Sequence, residues 1–575
     1  MSVDKYRHKW WGWGPEGVEY DMESRPALWP WIVQTAELGE RPERLPPVEL
    51  DRITLPLSRL TEVLSEDLRA AVGNGNVRED NEDRLIHCYG RSYRDVARLR
   101  AGIIRRAPDV VVYPGGHDDV VSVVKIAGEH GASLIPFGGG TNIAGCVEAV
   151  QNDRRPTITL DMRRMNRLLA VDVDSMTADL EAGMFGPQIE AALVPHGLSL
   201  GHHPDSFIYS TLGGWLATRS AGTQSNVYGK IEHMVAGMTV VTPTGVIETK
   251  PLPAASTGPD LNQMLVGSEG TFGVITRATM RVHPIPEYED YRMLLFPSYR
   301  DGFEALHESV RAGYMPSLAR LSDETETQLM FAAKHASTGI ERLVQGPVKR
   351  LLGARGYGQP AALVVAFEGP RQWTRELRRG AMAIFKKHRS FDLGTGPGAA
   401  WKESRYDVPY LRDFMMEYST IADSFETATV WSNLMPLHEA SHEALRRVIR
   451  EVTGFSGYIG SHISHLYATG ACLYYTICTR SREGATPEEM IEQYAEIKRV
   501  ATETFVKCGG ALSHHHGIGY EHRPWLEGEL SERGLVSLGQ IKDALDPDGI
   551  MNPGGLLGGR GSDESNTGGT PNQGR

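Results

Sequence analysis

The sequence predicts an α+β protein built from more than one domain, and three observations lead to this prediction. The chain has 575 residues, whereas a single hydrophobic core stops growing at roughly 250–300 residues. Short β-rich runs alternate with stretches of helical periodicity along most of the chain. Many of the 63 glycines occur in clusters beside the predicted strands, which is typical of tight turns that approach a ligand.

The composition excludes several classes of protein. Hydrophobic residues make up 41% and charged residues 23% of the chain, so it is not wholly disordered. The net charge of −12 argues against nucleic acid as a partner, because nucleic-acid binding needs a basic face. Five cysteines without a CxxC pair predict neither a disulfide framework nor a zinc site. No apolar run approaches the ~20 residues of a bilayer span, and no signal peptide is evident, so we expect a cytoplasmic protein.

The two ends of the chain differ from its middle. The first hundred residues form a helical arm rich in tryptophan, and we expect these rings to pack the arm onto the body of the protein. A contact between two copies in a homodimer is a second expectation for the arm. The last seventeen residues contain no large apolar side chain and predict a disordered tail. The tryptophans of the arm are Trp10, Trp11, Trp13, Trp29 and Trp31.

In the middle of the chain, the predicted pattern of strands and helices changes near residue 286. Before it, residues 109–136 read strand, helix, strand, and two β-rich runs flank Pro243–Thr244–Gly245 as a predicted hairpin. After it, strand–helix–strand recurs, with helices expected at 303–312 and 372–387. A later helix begins at a capping box, Thr486 to Glu489, with proline at its first position. The predicted division is an arm (1–100), a front domain (101–284), a central cap (285–505), a returning segment (506–558) and a tail (559–575).

Three glycine-rich clusters carry the first chemical signal. Small residues allow positive φ and let backbone N–H groups approach a pyrophosphate, while hydroxyls beside them can bond to phosphate or to a ring edge. Neither GxGxxG nor a Walker A sequence is present, and each cluster alone could be an ordinary turn. The candidate cofactor-binding residues are Pro136, Gly138, Gly139, Gly140, Thr141, Asn142, Pro204, Asp205, Ser206, Thr211, Gly213, Gly214, Ser220, Gly222, Glu269, Gly270, Thr271, Gly273, Val274 and Ile275.

The order of these clusters resembles the vanillyl-alcohol-oxidase/PCMH-type FAD-binding fold, whose PFGGGT-like and GSEGT-like loops hold the cofactor. Within that superfamily the chain is similar to the alkyldihydroxyacetonephosphate synthase family. The strings that carry this resemblance are GHHPDSFIYSTLGGWLATRSAG, YLRDFMMEYSTIADSFET, YATGACLYY and LSHHHGIG, spread over roughly residues 80–557. The resemblance implies a two-part FAD-binding domain, an α+β cap and a C-terminal segment that returns to the active site.

The resemblance also implies a reaction without net redox change. Acyl-dihydroxyacetone phosphate would bind covalently at N5 of FAD, the fatty acid would leave, and a fatty alcohol would replace it in ether lipid synthesis. The substrates would be an acylated phosphate and a fatty alcohol. No His or Cys lies where this superfamily usually attaches FAD, and Cys146 is expected to pack rather than to tether the flavin, so the FAD is expected to be non-covalent.

Two arginines and one tyrosine are matched by the resemblance to site residues. Arg412 would bind phosphate and Arg320 would act beside the flavin; a structural salt bridge is the alternative for each. Tyr474 would be the acid/base group, with Tyr475 and Tyr467 as neighbours that could be confused with it. A tyrosine takes a proton only if cations lower its pKa from ~10, and we expect nearby Arg and His residues to do so.

Successive histidines are the sharpest local signal. His514, His515 and His516 lie between glycines, where we expect substrate binding by the first and catalysis by the other two. In a strand at most two of them could face one ligand, and zinc would prefer separated spacing, so no metal is predicted. His202 is a further expected catalytic residue by resemblance. His203 stands where the family usually has Glu.

Two other functions remain open at this point. A FAD-dependent 2-hydroxyacid dehydrogenase also has a HGIG-like run, but with an acidic metal-linked residue where this chain has His515. A flavin-free lipid-binding protein that kept the fold is more remote. Residues 325–358 mix apolar and basic side chains, so they predict either a solvated cap surface or peripheral contact with the inner membrane face. The end Asn572–Arg575 carries no SKL-type peroxisomal signal.

Overall fold

The computed structural model describes residues 3–39, 42, 44–335 and 353–558. The predicted tail and much of the segment 325–358 therefore lie outside the described residues. The strands of the front half are β1 Val77–Arg78, β2 Val110–Val112, β3 Ser133–Phe137, β4 Thr157–Asp161, β5 Leu168–Asp172, β6 Thr177–Glu181, β7 Leu198–Ser199, β8 Val235–Thr242, β9 Gly245–Glu248, β10 Val274–Arg281 and β11 His283–Pro284.

The front half forms two main sheets and a two-stranded antiparallel pair of β7 and β11. The first has the order β1-β2-β4-β3, in which β4 pairs in parallel with both β2 and β3. Its central strands are wholly buried, as parallel strands covered on both faces usually are. The second sheet is antiparallel, in the order β5-β6-β10-β8-β9, and β8–β9 is the predicted hairpin. The loops between these strands carry the glycine clusters.

The cap is built on one large antiparallel sheet. Its strands are β12 Tyr288–Phe296, β13 Leu318–Ser322, β14 Ala361–Gly369, β15 Phe391–Asp392, β16 Thr420–Val430, β17 Tyr458–Leu466 and β18 Gly470–Arg480, in the order β15-β12-β14-β13-β17-β18-β16. Side chains alternate across each strand. Leu473, Tyr475 and Ile477 of β18 enter the main hydrophobic core, so Tyr474 faces the opposite side. That side faces the glycine clusters.

Helices cover both halves. They are α1 Leu28–Thr35, α2 Glu62–Val72, α3 Asn81–Ile86, α4 Tyr93–Ala101, α5 His117–Glu129, α6 Gly186–Leu193, α7 Leu212–Thr218, α8 Ser225–Tyr228, α9 Ile231–Met234, α10 Leu261–Leu265, α11 Tyr299–Arg311, α12 Glu324–Ala332, α13 Arg371–Lys387, α14 Thr395–Ser404, α15 Val408–Met415, α16 Trp431–Thr453, α17 Pro487–Lys507, α18 Gly519–His522 and α19 Leu526–Leu545. The capping box predicted for α17 is present, with Thr486 and Glu489 bonded reciprocally. The helix expected at 303–312 begins four residues earlier, at Tyr299.

The arm packs onto the body through its aromatic rings, as predicted. Tyr6 stacks on Phe185 with 4.3 Å between ring centroids, and the Trp13 backbone N–H donates to Asp413 at 2.5 Å. Trp29 and Trp31 meet rings of the cap edge on. At the other end, Met551 pairs beside Leu134 of β3, so the returning segment joins the first sheet.

A buried ion cluster joins the arm to the loop after the first glycine cluster. Glu148 accepts hydrogen bonds from Arg94 Nη2 at 2.7 Å and from Arg98 Nη1 at 2.9 Å, and all three side chains are buried. Replacing Glu148 with Ala removes this carboxylate from two buried guanidinium groups, which we expect to cost about 3–5 kcal/mol of unfolding free energy. Urea denaturation followed by tryptophan fluorescence measures the loss.

The exposed pair of Arg277 and Glu248, 2.6 Å apart, provides the matched control. Glu248→Ala should change the unfolding free energy by only about 0–1 kcal/mol. Equal losses of unfolding free energy in the two variants would show that burial does not make the Glu148 cluster more important for stability than an exposed ion pair.

Candidate active site

One cavity separates the glycine clusters from the polar face of the cap sheet. Its volume is about 1730 Å³, whereas ordinary ligand pockets measure roughly 300–1,000 Å³. The cavity therefore has room for a large cofactor together with a second ligand. Most of the lining surface is apolar, and part of it comes from Trp31 and Ile32 of the arm and from Leu329 of α12.

The glycine clusters interlock so closely that side chains cannot replace their hydrogens. A Cβ on Gly139 would lie 1.6 Å from the Tyr209 carbonyl oxygen, and one on Gly138 would lie 2.2 Å from Thr211 Oγ1. Gly270 has φ +75° and packs against Pro136. Such a cradle of bare backbone and small hydroxyl residues fits a dinucleotide cofactor.

Most of the residues predicted to bind the cofactor line this cavity. Two do not. Gly222 packs against His203, where a Cβ would lie 2.6 Å from the backbone nitrogen, and the buried Thr271 Oγ1 has no partner among the described residues. Those that line it are Pro136, Gly138, Gly139, Gly140, Thr141, Asn142, Pro204, Asp205, Ser206, Thr211, Gly213, Gly214, Ser220, Glu269, Gly270, Gly273, Val274 and Ile275.

A row of functional side chains crosses three neighbouring strands of the cap sheet. Tyr474 of β18 is directly opposite Glu426 of β16 on one side and His462 of β17 on the other. Residues directly opposite each other in antiparallel strands share a face. The Tyr474 and His462 rings stack with centroids 4.8 Å apart. Arg320 of β13 extends the row, because Ser322 two residues later pairs with His462.

The Tyr474 phenol is a proton donor in this structure. Its O–H donates to Ser424 Oγ at 2.7 Å. Burial raises the pKa of Tyr474 above its ordinary value, and the nearby Asp205 adds to the rise, while Arg320 opposes it only weakly. The expectation that cations lower this pKa is therefore wrong for the protein alone, because loss of hydration outweighs them.

The Glu426 carboxylate binds the backbone of the three successive histidines. The N–H groups of His514, His515 and His516 all donate to its carboxylate, at 2.7, 3.1 and 3.0 Å, and Ser513 Oγ donates at 2.8 Å. Neighbouring imidazoles and these donors hold the pKa of Glu426 well below its usual range, although burial alone would raise it. The carboxylate is ionised and fixes three consecutive residues.

Glu269 holds the other half of the same loop. Its carboxylate accepts the N–H of Ile518 at 2.6 Å and of Gly519 at 2.9 Å, and its own φ is +51°. Burial raises the pKa of Glu269. Although Glu269 was expected to bind the cofactor and borders the cavity, its side chain is engaged by the protein backbone.

The three successive histidines divide between two positions. His515 and His516 line the cavity, whereas His514 lies behind them. Its Nε2 is 2.5 Å from Tyr467 Oη and its Nδ1 is 2.9 Å from His515 Nδ1, which leaves it no free ring nitrogen for substrate. Burial lowers the pKa of His515 to about 3 and that of His516 to about 4, so both imidazoles are neutral near pH 7.

His202 also lies outside the cavity lining. Its ring packs edge on against Trp215, with centroids 4.8 Å apart, and its Nε2 is 3.2 Å from Ser220 Oγ. Ser220 itself borders the cavity. Ser220 therefore lies between the His202 ring and the cavity, and the catalytic role expected for His202 stays a prediction.

The two candidate arginines both line the cavity. Arg320 Nη2 donates to Glu326 Oε1 at 2.6 Å. Arg412 donates to the Arg91 carbonyl oxygen and to Asp413, while its buried Nε has no hydrogen-bond partner among the described residues. An unpaired buried donor beside a cavity is costly, and an anionic ligand would satisfy it.

Four side chains near the histidine run could approach a metal. Glu426, Cys472, His514 and His515 offer ligand atoms within 4.8 Å of one another. Glu426, however, is engaged by four donors. Burial also raises the pKa of the Cys472 thiol well above its ordinary value, and a thiol must ionise to bind a metal. The Glu426 carboxylate is therefore committed to the histidine loop.

Several residues in and beside the row were not predicted from the sequence. Glu426, Ser424, Glu326 and His462 were not singled out, although the first two lie in the string SFET. Their i, i+2 spacing places them on one face of a strand, and this was the available signal. No strand was predicted over Thr420–Val430, because the polar side of β16 hides its strand pattern.

Two families of flavoproteins match most of the chain. Residues 108–250 match a family described as FAD binding domain, and residues 285–556 match FAD linked oxidases, C-terminal domain. Alkyldihydroxyacetonephosphate synthase of Trypanosoma brucei brucei is 40% identical over 88% of this chain and 82% of its own length. The same enzyme of Dictyostelium discoideum is 35% identical over 96% and 94%.

The chain belongs to the alkyldihydroxyacetonephosphate synthase family. A solved structure of that enzyme superposes with a TM-score of 0.84 and 32% identity, over 96% of this chain and 98% of the other. Its members are FAD-dependent enzymes, and FAD is the cofactor of this one. The cradle of bare glycines fits that cofactor, so the predicted family, enzyme class and cofactor are confirmed.

Other flavoproteins match at lower identity. p-Cresol methylhydroxylase, at 18% identity and a TM-score of 0.66 over 88% of this chain and 99% of the other, confirms the PCMH-type α+β fold. The glycolate oxidase subunit GlcD of Bacillus subtilis is 24% identical over 87% of this chain and 97% of its own length. Across the described residues, none of the helices combines the length and the apolar composition that a bilayer crossing demands.

The glycine cradle predicts a direct effect on cofactor content. Gly139→Ala should abolish bound FAD, because the added Cβ would lie 1.6 Å from the Tyr209 carbonyl oxygen. Gly116→Ala is the matched control, since a Cβ there meets no atom within 4 Å. Absorbance near the flavin band, relative to protein, should be lost only in the first variant. Circular dichroism separates loss of cofactor from loss of fold, and full flavin content in Gly139→Ala would contradict the cradle.

Proposed function

We propose that this protein exchanges the acyl chain of acyl-dihydroxyacetone phosphate for a fatty alcohol, without net redox change. The row of Glu426, Tyr474, His462 and Arg320 facing the glycine cradle is the observation that best supports this proposal. It gives a phenol, an imidazole and a guanidinium on one surface opposite the cofactor loops. Family membership supports the same reaction, since the relatives are named for it.

The charged groups of the cavity suit a phosphorylated substrate. Arg412, with a buried donor that lacks a partner, would bind the phosphate. Arg320, oriented by Glu326, would bind the oxygen atoms of the reacting carbon unit. Neutral His515 and His516 can take up a proton as a dianion enters, because a nearby negative charge raises the pKa of an imidazole.

Tyr474 would act as an acid in this scheme. Burial raises its pKa and keeps the phenol protonated, although the hydrogen bond to Ser424 acts in the other direction, so it can donate a proton to the departing fatty acid. When bound, FAD supplies a reversible electron sink beside the reacting carbon. We propose that the flavin is held without a covalent bond, since the Cys146 thiol is buried and its pKa is raised well above the ordinary value.

An anaerobic assay tests this function. The holoenzyme is mixed with acyl-dihydroxyacetone phosphate and a fatty alcohol, and ether product and free fatty acid are measured by mass spectrometry. Both should form in equal amounts with no electron acceptor. Tyr474→Phe should retain FAD and lose at least about 100-fold in rate, in line with general acid catalysis; Tyr467→Phe, behind the cavity, should lose far less.

Two results would contradict the proposal. Absence of ether product with the wild-type holoenzyme would exclude the synthase reaction. Oxidation of D-lactate, glycolate or D-2-hydroxyglutarate with an artificial acceptor would favour a 2-hydroxyacid dehydrogenase. Release of the flavin in acid would support non-covalent binding, whereas a flavin that stays with the precipitated protein would exclude it.

We propose that residues 101–284 bind FAD and residues 285–505 bind substrate, with 506–558 completing the site.

We also propose peripheral contact with a membrane face, because long-chain substrates partition into lipid and because the cap segment 325–358 is basic and apolar. Lys334, beside the cavity, lies in this segment. The holoenzyme should co-sediment with vesicles of anionic lipid and fail to do so with neutral ones. Equal binding to both, or to neither, would contradict an electrostatic contact.

A further inference from the structure

The proposed exchange needs a base that Tyr474 does not supply. The incoming alcohol must lose its O–H proton to bond to carbon, yet the Tyr474 phenol has a raised pKa and donates to Ser424. A neutral phenol that is already a donor gives protons and does not take them. Another group in the cavity must accept this proton.

His462 and Glu326 form a carboxylate–imidazole pair in the cavity wall. His462 Nδ1 is 3.0 Å from Glu326 Oε1 and 3.1 Å from Oε2, and both residues are buried. Arg320 Nη2 donates to the same Oε1. These two partners hold the pKa of Glu326 well below its usual range, so the carboxylate is ionised even though burial opposes ionisation.

The ionised carboxylate fixes the tautomer of the ring. An ionised carboxylate only accepts hydrogen bonds, so Nδ1 of His462 carries the proton and Nε2 carries the lone pair. Nε2 has no hydrogen-bond partner in the part of the chain that the structure describes. It is also not one of the unpaired side-chain nitrogens that are completely buried. Since His462 lines the cavity, this lone pair is open to a ligand.

Other imidazoles of the cavity lack this arrangement. His515 Nδ1 and His516 Nδ1 lie 3.7 and 3.8 Å from Glu426, beyond hydrogen-bond distance. Within the described residues, His462 is therefore the cavity-lining imidazole with a carboxylate bonded to its ring. It also stacks on Tyr474 at 4.8 Å, so the acid and the base of the row are adjacent.

We propose that His462 is the general base for the fatty alcohol and that Glu326 is its positioning residue. This inference rests on the proposed function. The alcohol O–H bond breaks, the proton goes to His462 Nε2, and the electron pair stays on the oxygen. That oxygen forms the new C–O bond to the dihydroxyacetone carbon, from which the fatty acid has already departed with the electrons of its C–O bond and a proton from Tyr474. When bound, FAD would hold this carbon in the interval, and the bond that holds it breaks as the ether forms. The proton on His462 then returns to Tyr474, so that acid and base are both restored.

The ionisation of His462 is consistent with this role. Burial lowers its pKa below the ordinary value, Arg320 lowers it further, and Glu326 raises it, so the ring is neutral and basic at neutral pH. The alcohol-dependent rate should therefore fall as the pH drops below 6.5 and the imidazole becomes protonated. The titratable and charged groups that face His462 from neighbouring elements are Arg320, Glu326, Asp205, Tyr474, His465 and His515.

A two-stage anaerobic experiment isolates the base. The FAD-loaded protein first receives acyl-dihydroxyacetone phosphate alone, and released fatty acid is measured; a fatty alcohol is then added, and ether product is followed. In His462→Ala the first stage should stay within about 3-fold of wild type. The second should fall at least about 100-fold, the usual share of general base catalysis, and free imidazole should restore part of it. His388→Ala, which changes a partly buried pair with Glu308 far along the chain from the row, is the control.

A measurement without turnover tests the pair independently. Histidine NMR of the holoprotein without substrate identifies His462 as the resonance missing from His462→Gln. It should titrate below pH 6.5, and in Glu326→Gln its midpoint should move lower still, because a charge that raises the pKa of His462 is lost. Flavin absorbance should be unchanged in all variants, which excludes a collapsed site as the cause.

The outcomes separate this inference from the proposed function. If wild type forms ether and His462→Ala forms it equally fast, the base is another group and the inference is wrong. A midpoint unchanged in Glu326→Gln would show that the carboxylate does not govern the ring. If wild type forms no ether at all, the proposed function fails and His462 cannot be a base for an alcohol, whatever its titration shows.

Discussion

Two buried carboxylates determine where the loop that carries His514, His515 and His516 lies. Glu426 comes from the cap sheet and accepts three successive N–H groups, while Glu269 comes from the third glycine cluster and accepts two more. Hydrogen bonds to a charged group contribute about 1.5–3 kcal/mol each. The loop between them therefore has its backbone committed to both halves of the molecule. Its imidazoles are left as the part that can face the cavity.

This arrangement has an electrostatic consequence for the whole site. The imidazoles of His462, His515 and His516 are neutral and the Tyr474 phenol is protonated, because burial penalises their charged forms, while the carboxylates of Glu326 and Glu426 are ionised and engaged by donors. Arg320 and Arg412 are two of the cations of the wall, which Arg25, Lys334 and Arg405 also border. A dianionic ligand meets a surface that can become more positive by taking up protons, and the site needs no excess positive charge to fold.

The resemblance and the glycine clusters allowed the fold and the cofactor to be predicted, because both rest on local backbone demands that a sequence displays directly. Tyr474, Arg320 and Arg412 were predicted for the cavity and lie there. His202 and His514 were expected at the ligand but lie one layer behind it, since a sequence shows residue type and not the direction of a side chain. Glu426 and His462 were missed because strand register, which only the folded sheet reveals, brings them beside Tyr474.

The glycine cradle and the row of side chains on the cap sheet differ in how far each determines the reaction. Flavoproteins at 18–24% identity share the fold, so the cradle alone does not determine a reaction. The row does more, because it lies on one face of four hydrogen-bonded strands whose spacing is set by the backbone. A phenol kept protonated and an imidazole kept neutral are adjacent in it. If one donates and the other accepts, acid and base are provided on the same surface without an external oxidant, which is the requirement of an exchange that leaves the cofactor unchanged.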